Sequence, residues 1–142
     1  MDPCIEVPAE ESGILRLMAF ADEVEHRLPL SFDQSYLMRL VVEEIATNIV
    51  KYGYAKGARG VIQLRCSCEN DVLRIVIRDQ GHPFDPRIAP EPEMGEDLAS
   101  RKIGGLGIYL VREFADNLSY HHDDVSGWNE LVVVKAERGD HV

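Results

Sequence analysis

Residues 61–79, VIQLRCSCENDVLRIVIRD, contain two runs in which apolar and polar residues alternate, separated by a short polar turn. Alternation with a period of two is typical of β-strands that bury one face, so this segment predicts an antiparallel hairpin. In the second run Leu73, Ile75 and Ile77 share the buried face, and the alternation places Asp79 there as well. A buried carboxylate needs a hydrogen-bond donor. The hairpin therefore predicts a sheet and, at its end, one corner of a site.

Helical patterns flank this hairpin. Residues 12–27 carry apolar residues at helical spacing, and Ser31 with Gln34 forms a capping box that begins a second helix running to about Tyr52. Residues 4–8 suggest a short edge strand, and a long loop, a third helix and a second hairpin follow the first hairpin. This order predicts an α/β (α+β) fold, a two-layer sandwich whose mixed, mainly antiparallel sheet has helices packed on one face.

Composition limits the classes of function. The 142 residues are 45% hydrophobic and 28% charged, as expected of one globular domain spanning residues 1–142. No apolar run approaches the roughly 18 residues of a membrane span, and no export signal is visible, so we expect a cytoplasmic protein without membrane contact. A formal net charge of −10 argues against direct nucleic-acid binding. Three cysteines without metal-binding spacing are expected to be reduced thiols.

The second helix carries two polar residues on its apolar stripe. Leu37, Val41 and Ile45 form the stripe, and Glu44 and Asn48 fall within it, one turn apart. Burying a carboxylate and an amide costs several kcal/mol unless a partner or a ligand satisfies them. A single residue of this kind is often a structural hydrogen bonder. The pair favours a site lined by the helix.

A glycine-rich segment, GGLG at 104–107, leads directly into the third helical pattern. Glycines let the backbone approach a ligand closely, and a helix N-terminus presents free N–H groups, so the combination favours a phosphate. The segment has neither the lysine of a P-loop nor the glycine spacing of a Rossmann fingerprint. A flexible hinge is the alternative interpretation of these glycines, and a simple turn cap is the alternative for Asp79.

Together these features predict a nucleotide pocket. Asp79 would accept a hydrogen bond from the exocyclic amine of adenine, and Asn48 would hold a hard cation such as Mg²⁺ beside phosphate oxygens. Glu44 would be free to act as a base.

Three motifs in this order resemble the GHKL ATPase superfamily, and specifically its branch of small anti-sigma-factor serine kinases. VVEEIATN (41–48) is similar to the N box, DQGHPFDP (79–86) to the first glycine box and GGLGIYLV (104–111) to the second. The resemblance extends from about Ile5 to Lys135 and implies the Bergerat ATPase fold.

The resemblance also implies a role for each matched residue. Glu44, selected over Glu43 by the motif spacing, would be the catalytic residue, and Asn48 would bind Mg²⁺. The residues implied in ATP binding are Asn48, Asp79, Gly81, Gly104, Gly105, Leu106 and Gly107.

By this resemblance the chain would be an anti-sigma factor with ATP-dependent serine kinase activity. It would phosphorylate a STAS-domain anti-anti-sigma protein, sequester a sigma factor and form a homodimer. The alternatives are a nucleotide-gated binding module without kinase activity, a stand-alone ATPase domain acting on a histidine, and a scaffold whose pocket is empty.

The match has departures. Tyr52 stands where relatives often have histidine, and the glycine–threonine pair of the superfamily is blurred to Gly127–Trp128–Asn129. The ATP lid would be the loop of about residues 86–103, in which Arg101 and Lys102 are candidates to reach a γ-phosphate or are simply solvated.

Overall fold

A computed structural model describes residues 2–55, 57–88 and 105–137. These residues form five β-strands, three α-helices, one π-helix and one short 3₁₀-helix. In chain order the elements are β1 (Cys4–Pro8), α1 (Glu11–Arg27), α2 (Phe32–Asn48), the π-helix (Ile49–Gly53), β2 (Val61–Glu69), β3 (Val72–Asp79), the 3₁₀-helix (Pro86–Ile88), α3 (Gly105–Phe114), β4 (Asn117–His122) and β5 (Asn129–Ala136).

The five strands form one sheet in the order β1-β2-β3-β5-β4, and every neighbouring pair is antiparallel. The two-layer α+β architecture is confirmed, but the prediction of a mixed sheet is wrong for the described strands. Both predicted hairpins are present. The second hairpin inserts β5 beside β3, so β4 lies at the edge of the sheet.

The core lies between the helices and one face of the sheet. Leu64, Ile77 and Leu131 stand opposite one another on β2, β3 and β5, and all are buried. Leu37 and Val41 of α2 are fully buried in the same cluster. Each such side chain contributes about 1.5–3 kcal/mol relative to exposure, so the apolar rows explain why these segments pack as they do. Within the described residues, no helix is both long and apolar enough to cross a bilayer.

Two sets of hydrogen bonds, one local and one to distant segments, fix the start of α2. The Ser31 hydroxyl accepts a hydrogen bond from the Gln34 backbone N–H (3.1 Å), and the Gln34 side chain accepts one from the Ser31 N–H (3.0 Å), which confirms the predicted capping box. The same Gln34 side chain is fully buried and donates to the carbonyls of Asp71 and Lys135, at 2.9 Å each. This one residue therefore anchors the helix to the β2–β3 turn and to the end of β5.

The end of α2 differs from the prediction. The continuous helix expected to reach Tyr52 ends at Asn48, and the chain continues as a π-helix to Gly53. A π-helix widens the turn by one residue and often occurs at functional sites. Here it changes the direction of residues Ile49–Gly53 relative to a continuous α-helix.

On the outer side of α2, Arg39 forms ion pairs with Asp22 and Glu25 of α1, both at 2.5 Å. Arg39 links the first two helices, because two acidic side chains of α1 lie within its reach, whereas Glu43 on the same helix is exposed.

Candidate functional site

Asp79 is the last residue of β3 and is buried, with 8% of its surface exposed. Its Oδ1 accepts hydrogen bonds from the Gly81 backbone N–H (2.8 Å) and from the Asn129 amide (3.1 Å). Burial raises the pKa of Asp79, and these two hydrogen bonds oppose the rise. No side chain or amide of the described residues donates to Oδ2. One carboxylate oxygen thus caps the turn, and the other remains available to a ligand.

Asn129 is a residue that the sequence analysis did not assign to the site. It is the first residue of β5, stands opposite Asp79 in the sheet and is only 3% exposed. Its amide nitrogen donates to Asp79 and to the carbonyl of Gly81 (2.9 Å). Asn129 precedes Leu131 and Val133 on the buried face, so the argument that identified Asp79, a polar residue in an apolar row, applies to it equally.

The glycine turn after β3 packs against the end of the π-helix. A Cβ atom on Gly81 would lie 2.5 Å from the carbonyl oxygen of Gly53, which is why the turn requires glycine. The same carbonyl accepts a hydrogen bond from the His82 backbone N–H. A Cβ atom on Gly53 would in turn lie 3.9 Å from Oδ1 of Asp79. The π-helix therefore delivers the end of this helical segment to the corner that holds Asp79.

Glu44 lies on α2, nine residues before Gly53, and is half-buried. Burial raises the pKa of its carboxyl group, the neighbouring Glu43 raises it further, and Lys51 opposes the rise. Among the described residues the carboxylate has neither a hydrogen bond nor an ion pair. A Cβ atom on Gly107 would overlap the Glu44 side chain, so the first turn of α3 lies directly against this carboxylate.

Asn48 ends α2, and its side chain makes no hydrogen bond to the part of the chain that the structure describes. Its carboxamide oxygen fits one position in the shell of a Mg²⁺ ion whose other ligands are phosphate oxygens and water. Within residues 2–55, 57–88 and 105–137, no group of three or more His, Cys, Asp or Glu side chains is placed to hold a metal ion.

The second glycine motif is described in part. Gly105 begins α3, Leu106 is 41% exposed and Gly107 is buried against Glu44. The first N–H groups of an α-helix have no partner within the helix and carry a partial positive charge, which suits a phosphate. Gly104, Arg101, Lys102 and the predicted lid from residue 89 onwards lie outside the described residues.

Near Tyr52, where the sequence departs from the family pattern, a second tyrosine, Tyr54, contacts the turn after β3. Tyr52 is 61% exposed, whereas the hydroxyl of Tyr54 donates to the carbonyl of Val61 (3.0 Å) and accepts from the Gln80 N–H (2.7 Å). Tyr54 therefore helps to hold the turn after β3, a role that the sequence did not reveal because both partners come from other segments.

The arrangement has two ends joined by one helical segment. At one end lie Asp79 and the glycine turn, and at the other lie Glu44 and the start of α3. Glu44 and Gly53 are nine residues apart along this segment, roughly two helical turns. Such a site suits an elongated ligand with a hydrogen-bond donor at one end and negative charge at the other.

Comparison with known proteins gives a consistent result. A family model described as the histidine kinase-like ATPase domain matches residues 7–135. Two serine-protein kinases named RsbW are each 26% identical: that of Staphylococcus epidermidis over 94% of this chain and 87% of its own, and that of Bacillus subtilis over 96% and 88%. The serine/threonine-protein kinase BtrW of Bordetella bronchiseptica is 31% identical over 69% of this chain and 68% of its own.

A solved structure shares the fold. The blue-light activated histidine kinase of Erythrobacter litoralis EL346 superposes with a TM-score of 0.52 at 17% identity. The match covers 88% of this chain and 41% of that protein. It supports the architecture of the sheet and helices, and at this identity it carries no statement about activity.

Proposed function

The chain belongs to the histidine kinase-like ATPase family, on its branch of anti-sigma-factor serine kinases, and we propose that it transfers the γ-phosphoryl group of ATP to a serine of a STAS-domain anti-anti-sigma protein. Its described residues support a site for both halves of ATP. Asp79 offers a free carboxylate oxygen to the adenine amine, and the N-terminus of α3 offers backbone N–H groups to the phosphates.

One observation carries the proposal of catalysis. Glu44 is a half-buried carboxylate without a hydrogen bond or ion pair to residues 2–55, 57–88 and 105–137, and it lies against the first turn of the helix that would bind phosphate. A group that only supported the fold would be paired, because an unpaired carboxylate in such a place costs stability. A base beside the γ-phosphate explains why the chain keeps it.

The oxygen of the incoming serine hydroxyl forms a bond to the γ-phosphorus while the bond from that phosphorus to the β,γ-bridging oxygen breaks, and ADP leaves. Glu44 accepts the hydroxyl proton. Mg²⁺, when bound through Asn48, would neutralise charge on the phosphates. Phosphoryl transfer depends mainly on positioning and charge, which is what these residues supply.

The branch also supports the proposed partners. We propose that the protein sequesters a sigma factor, that phosphorylation of the STAS protein prevents that protein from displacing it, and that the kinase acts as a homodimer in the cytoplasm. A single domain over residues 1–142 with a lid at about 86–103 belongs to the same proposal. The match to RsbW proteins over 87–88% of their length supports the comparison at the level of a whole protein.

The first experiment is calorimetric titration with ATP, ADP and GTP, each with and without Mg²⁺. Magnesium-dependent binding that prefers adenine nucleotides is the expected result. Phosphate transfer from labelled ATP is then measured with STAS-domain proteins of the same organism. Absence of binding at millimolar nucleotide would overturn the proposal, and binding without transfer to any of these proteins would leave only a nucleotide-gated binding module.

The variant Glu44→Gln tests the role of the base. We expect it to bind ATP as the unsubstituted protein does and to lose transfer by about 100-fold or more, the usual contribution of general base catalysis. Glu43→Gln is the matched control, since it removes the adjacent, exposed carboxylate and should transfer normally. Equal transfer by both variants would remove Glu44 from the mechanism.

A further inference from the structure

Asn129 uses all of its hydrogen-bonding capacity. Its amide nitrogen donates to Oδ1 of Asp79 (3.1 Å) and to the carbonyl of Gly81 (2.9 Å), and its Oδ1 accepts from the Tyr120 hydroxyl (3.0 Å) and pairs with Nδ1 of His122 (2.6 Å). An asparagine side chain has two donors and one oxygen with two lone pairs, so none is left over. Such complete use at a buried position indicates a residue with one defined orientation.

The orientation of this amide follows from its partners. The Asp79 carboxylate and the Gly81 carbonyl only accept hydrogen bonds, so the side of Asn129 that faces them must be its nitrogen. On the opposite side, the Tyr120 hydroxyl already accepts from the Phe84 N–H (3.1 Å), so its own hydrogen is directed to Asn129. Rotating the amide by 180° would place acceptor against acceptor at Asp79 and Gly81.

This network connects three segments that are distant in the sequence. Tyr120 and His122 lie on edge strand β4 and face the helices, Asn129 lies on β5, and Phe84 belongs to the turn that follows β3. These contacts connect the turn after β3, which lies beside Asp79, to edge strand β4. The Asp79 carboxylate is therefore fixed through its Oδ1 atom, whereas no described residue donates a hydrogen bond to its Oδ2 atom.

We propose that Asn129, held by Tyr120 and His122, is the positioning residue that aims Asp79 at the exocyclic amine of a purine and so determines which purine nucleotide this site prefers. The inference rests on the proposed nucleotide site and names the residues that give it base selectivity. Asn129 touches the carboxylate and not the base, so its effect should be confined to ligands that carry the amine.

The test pairs a change in the protein with a change in the ligand. Dissociation constants are measured for ATP and for purine riboside triphosphate, which lacks the exocyclic amine, on the unsubstituted protein and on Asn129→Ala. A hydrogen bond to a charged group is worth roughly 1.5–3 kcal/mol, so we expect the unsubstituted protein to prefer ATP by about tenfold or more. In Asn129→Ala we expect ATP to bind more weakly, the analogue to bind nearly as before, and the ratio to fall towards one.

Three further variants make the result specific. Asp79→Asn should remove the preference as well. His121→Gln is the matched control, because His121 neighbours the network on β4 but is exposed on the other face of the sheet, and the ratio should stay unchanged. Tyr120→Phe removes one hydroxyl only and should lower the ratio by about threefold, a fraction of the cost of a neutral hydrogen bond.

The outcomes separate this inference from the proposed function. If the unsubstituted protein does not bind ATP, the proposed function fails. If it prefers ATP and Asn129→Ala keeps that preference while weakening both ligands equally, Asn129 has a structural role only and the inference is overturned. Melting curves check that each variant folds. Should Asn129→Ala not fold, Tyr120→Phe decides, and an unchanged ratio in that variant overturns the inference.

Discussion

Glu44 is held in surroundings that favour its protonated form. Burial and the adjacent Glu43 raise its pKa, and no described residue donates a hydrogen bond to it. Protein stability alone would favour a neutral side chain here. A base needs a carboxylate that is not already engaged, so the same feature that weakens the fold suits proton transfer.

The pH dependence of thermal stability tests whether the unpaired carboxylate of Glu44 destabilises the fold. The pKa of Glu44 is raised above the ordinary 4.5, so the folded state binds the proton more tightly than the unfolded state does. The stabilisation from this group is fully present below pH 4.5 and is lost as the pH rises through the folded pKa. We therefore expect Glu44→Gln to melt above the unsubstituted protein at pH 7, by roughly 2 °C, with a difference that shrinks on acidification.

The measurement is a series of thermal melts between pH 4 and pH 8. Glu43→Gln serves again as the control, because Glu43 is exposed and should give no comparable gain at neutral pH. A melting temperature of Glu44→Gln below that of the unsubstituted protein at pH 7 would contradict the interpretation of Glu44 as an unsatisfied charge.

Gly107 gives a second test at this scale. Gly107→Ala places a methyl group where the Glu44 side chain lies, so either that side chain must turn away or the start of α3 must shift. We expect at least a tenfold loss of phosphate transfer, since misplacement by about 1 Å can cost 100-fold. Glu44→Ala removes the obstructing atoms, so Gly107→Ala should weaken ATP binding less in that background. Equal weakening in both backgrounds, measured by calorimetry, would show that the two residues do not collide.

The candidate site residues were predictable where a polar side chain interrupts an apolar row. Glu44, Asn48 and Asp79 followed from that rule, and the structure places the first beside Gly107 and the last beside Gly81. Asn129 satisfies the same rule but was not predicted, because it also belongs to the blurred glycine–threonine motif, Gly127–Trp128–Asn129. The partners of Asn129 were not predictable, since they depend on the strand pairing.

At the scale of the element, α2 depends on one glutamine. The capping box could be recognised from Ser31 and Gln34 because both partners are local. The second role of Gln34 could not, because its acceptors, Asp71 and Lys135, lie 37 and 101 residues away. The π-helix was also not predictable, since no residue type is specific to it.

The variant Gln34→Glu separates these two roles. Glutamate keeps the acceptor for the Ser31 N–H but replaces the donor nitrogen with an oxygen that faces two carbonyls. We expect a loss of about 3 kcal/mol in the free energy of unfolding, against about 1 kcal/mol for Ser31→Ala, which removes only the local cap. Urea unfolding of both variants gives the comparison. Equal losses would mean that the cap is the main contribution of Gln34.

At the scale of the whole molecule, local patterns determined the hairpins but not the order of the strands. The pairs β2–β3 and β4–β5 follow from adjacent segments, whereas β1–β2 and β3–β5 join segments separated by helices. These distant pairings form the centre of the sheet and one of its edges. These pairings depend on how the sheet packs against the helices. A single sequence does not specify their register.

Thiol reactivity reports on this central sheet. Cys66 is fully buried in β2, and burial raises its pKa to about 12, whereas Cys4 is exposed on β1. We expect a thiol reagent at pH 8 to modify Cys4 in the folded protein and Cys66 only when the whole sheet opens. In a variant with both Cys4→Ser and Cys68→Ser, Cys66 is the one remaining thiol of the 142 residues, and its labelling should depend on urea as global unfolding does. Rapid labelling of Cys66 without denaturant would contradict a uniformly stable core.

The π-helix also limits how this gene can change. Between Glu44 and Gly53 the backbone itself, through the Gly53 carbonyl, makes the contact with the turn after β3. Replacing side chains along this stretch leaves that carbonyl in place, whereas a one-codon deletion would turn it by about 100° about the helix axis and withdraw it by about 1.5 Å. Natural variation should therefore conserve the length of this interval, including at the positions between Glu44 and Gly53 whose side chains are free to change.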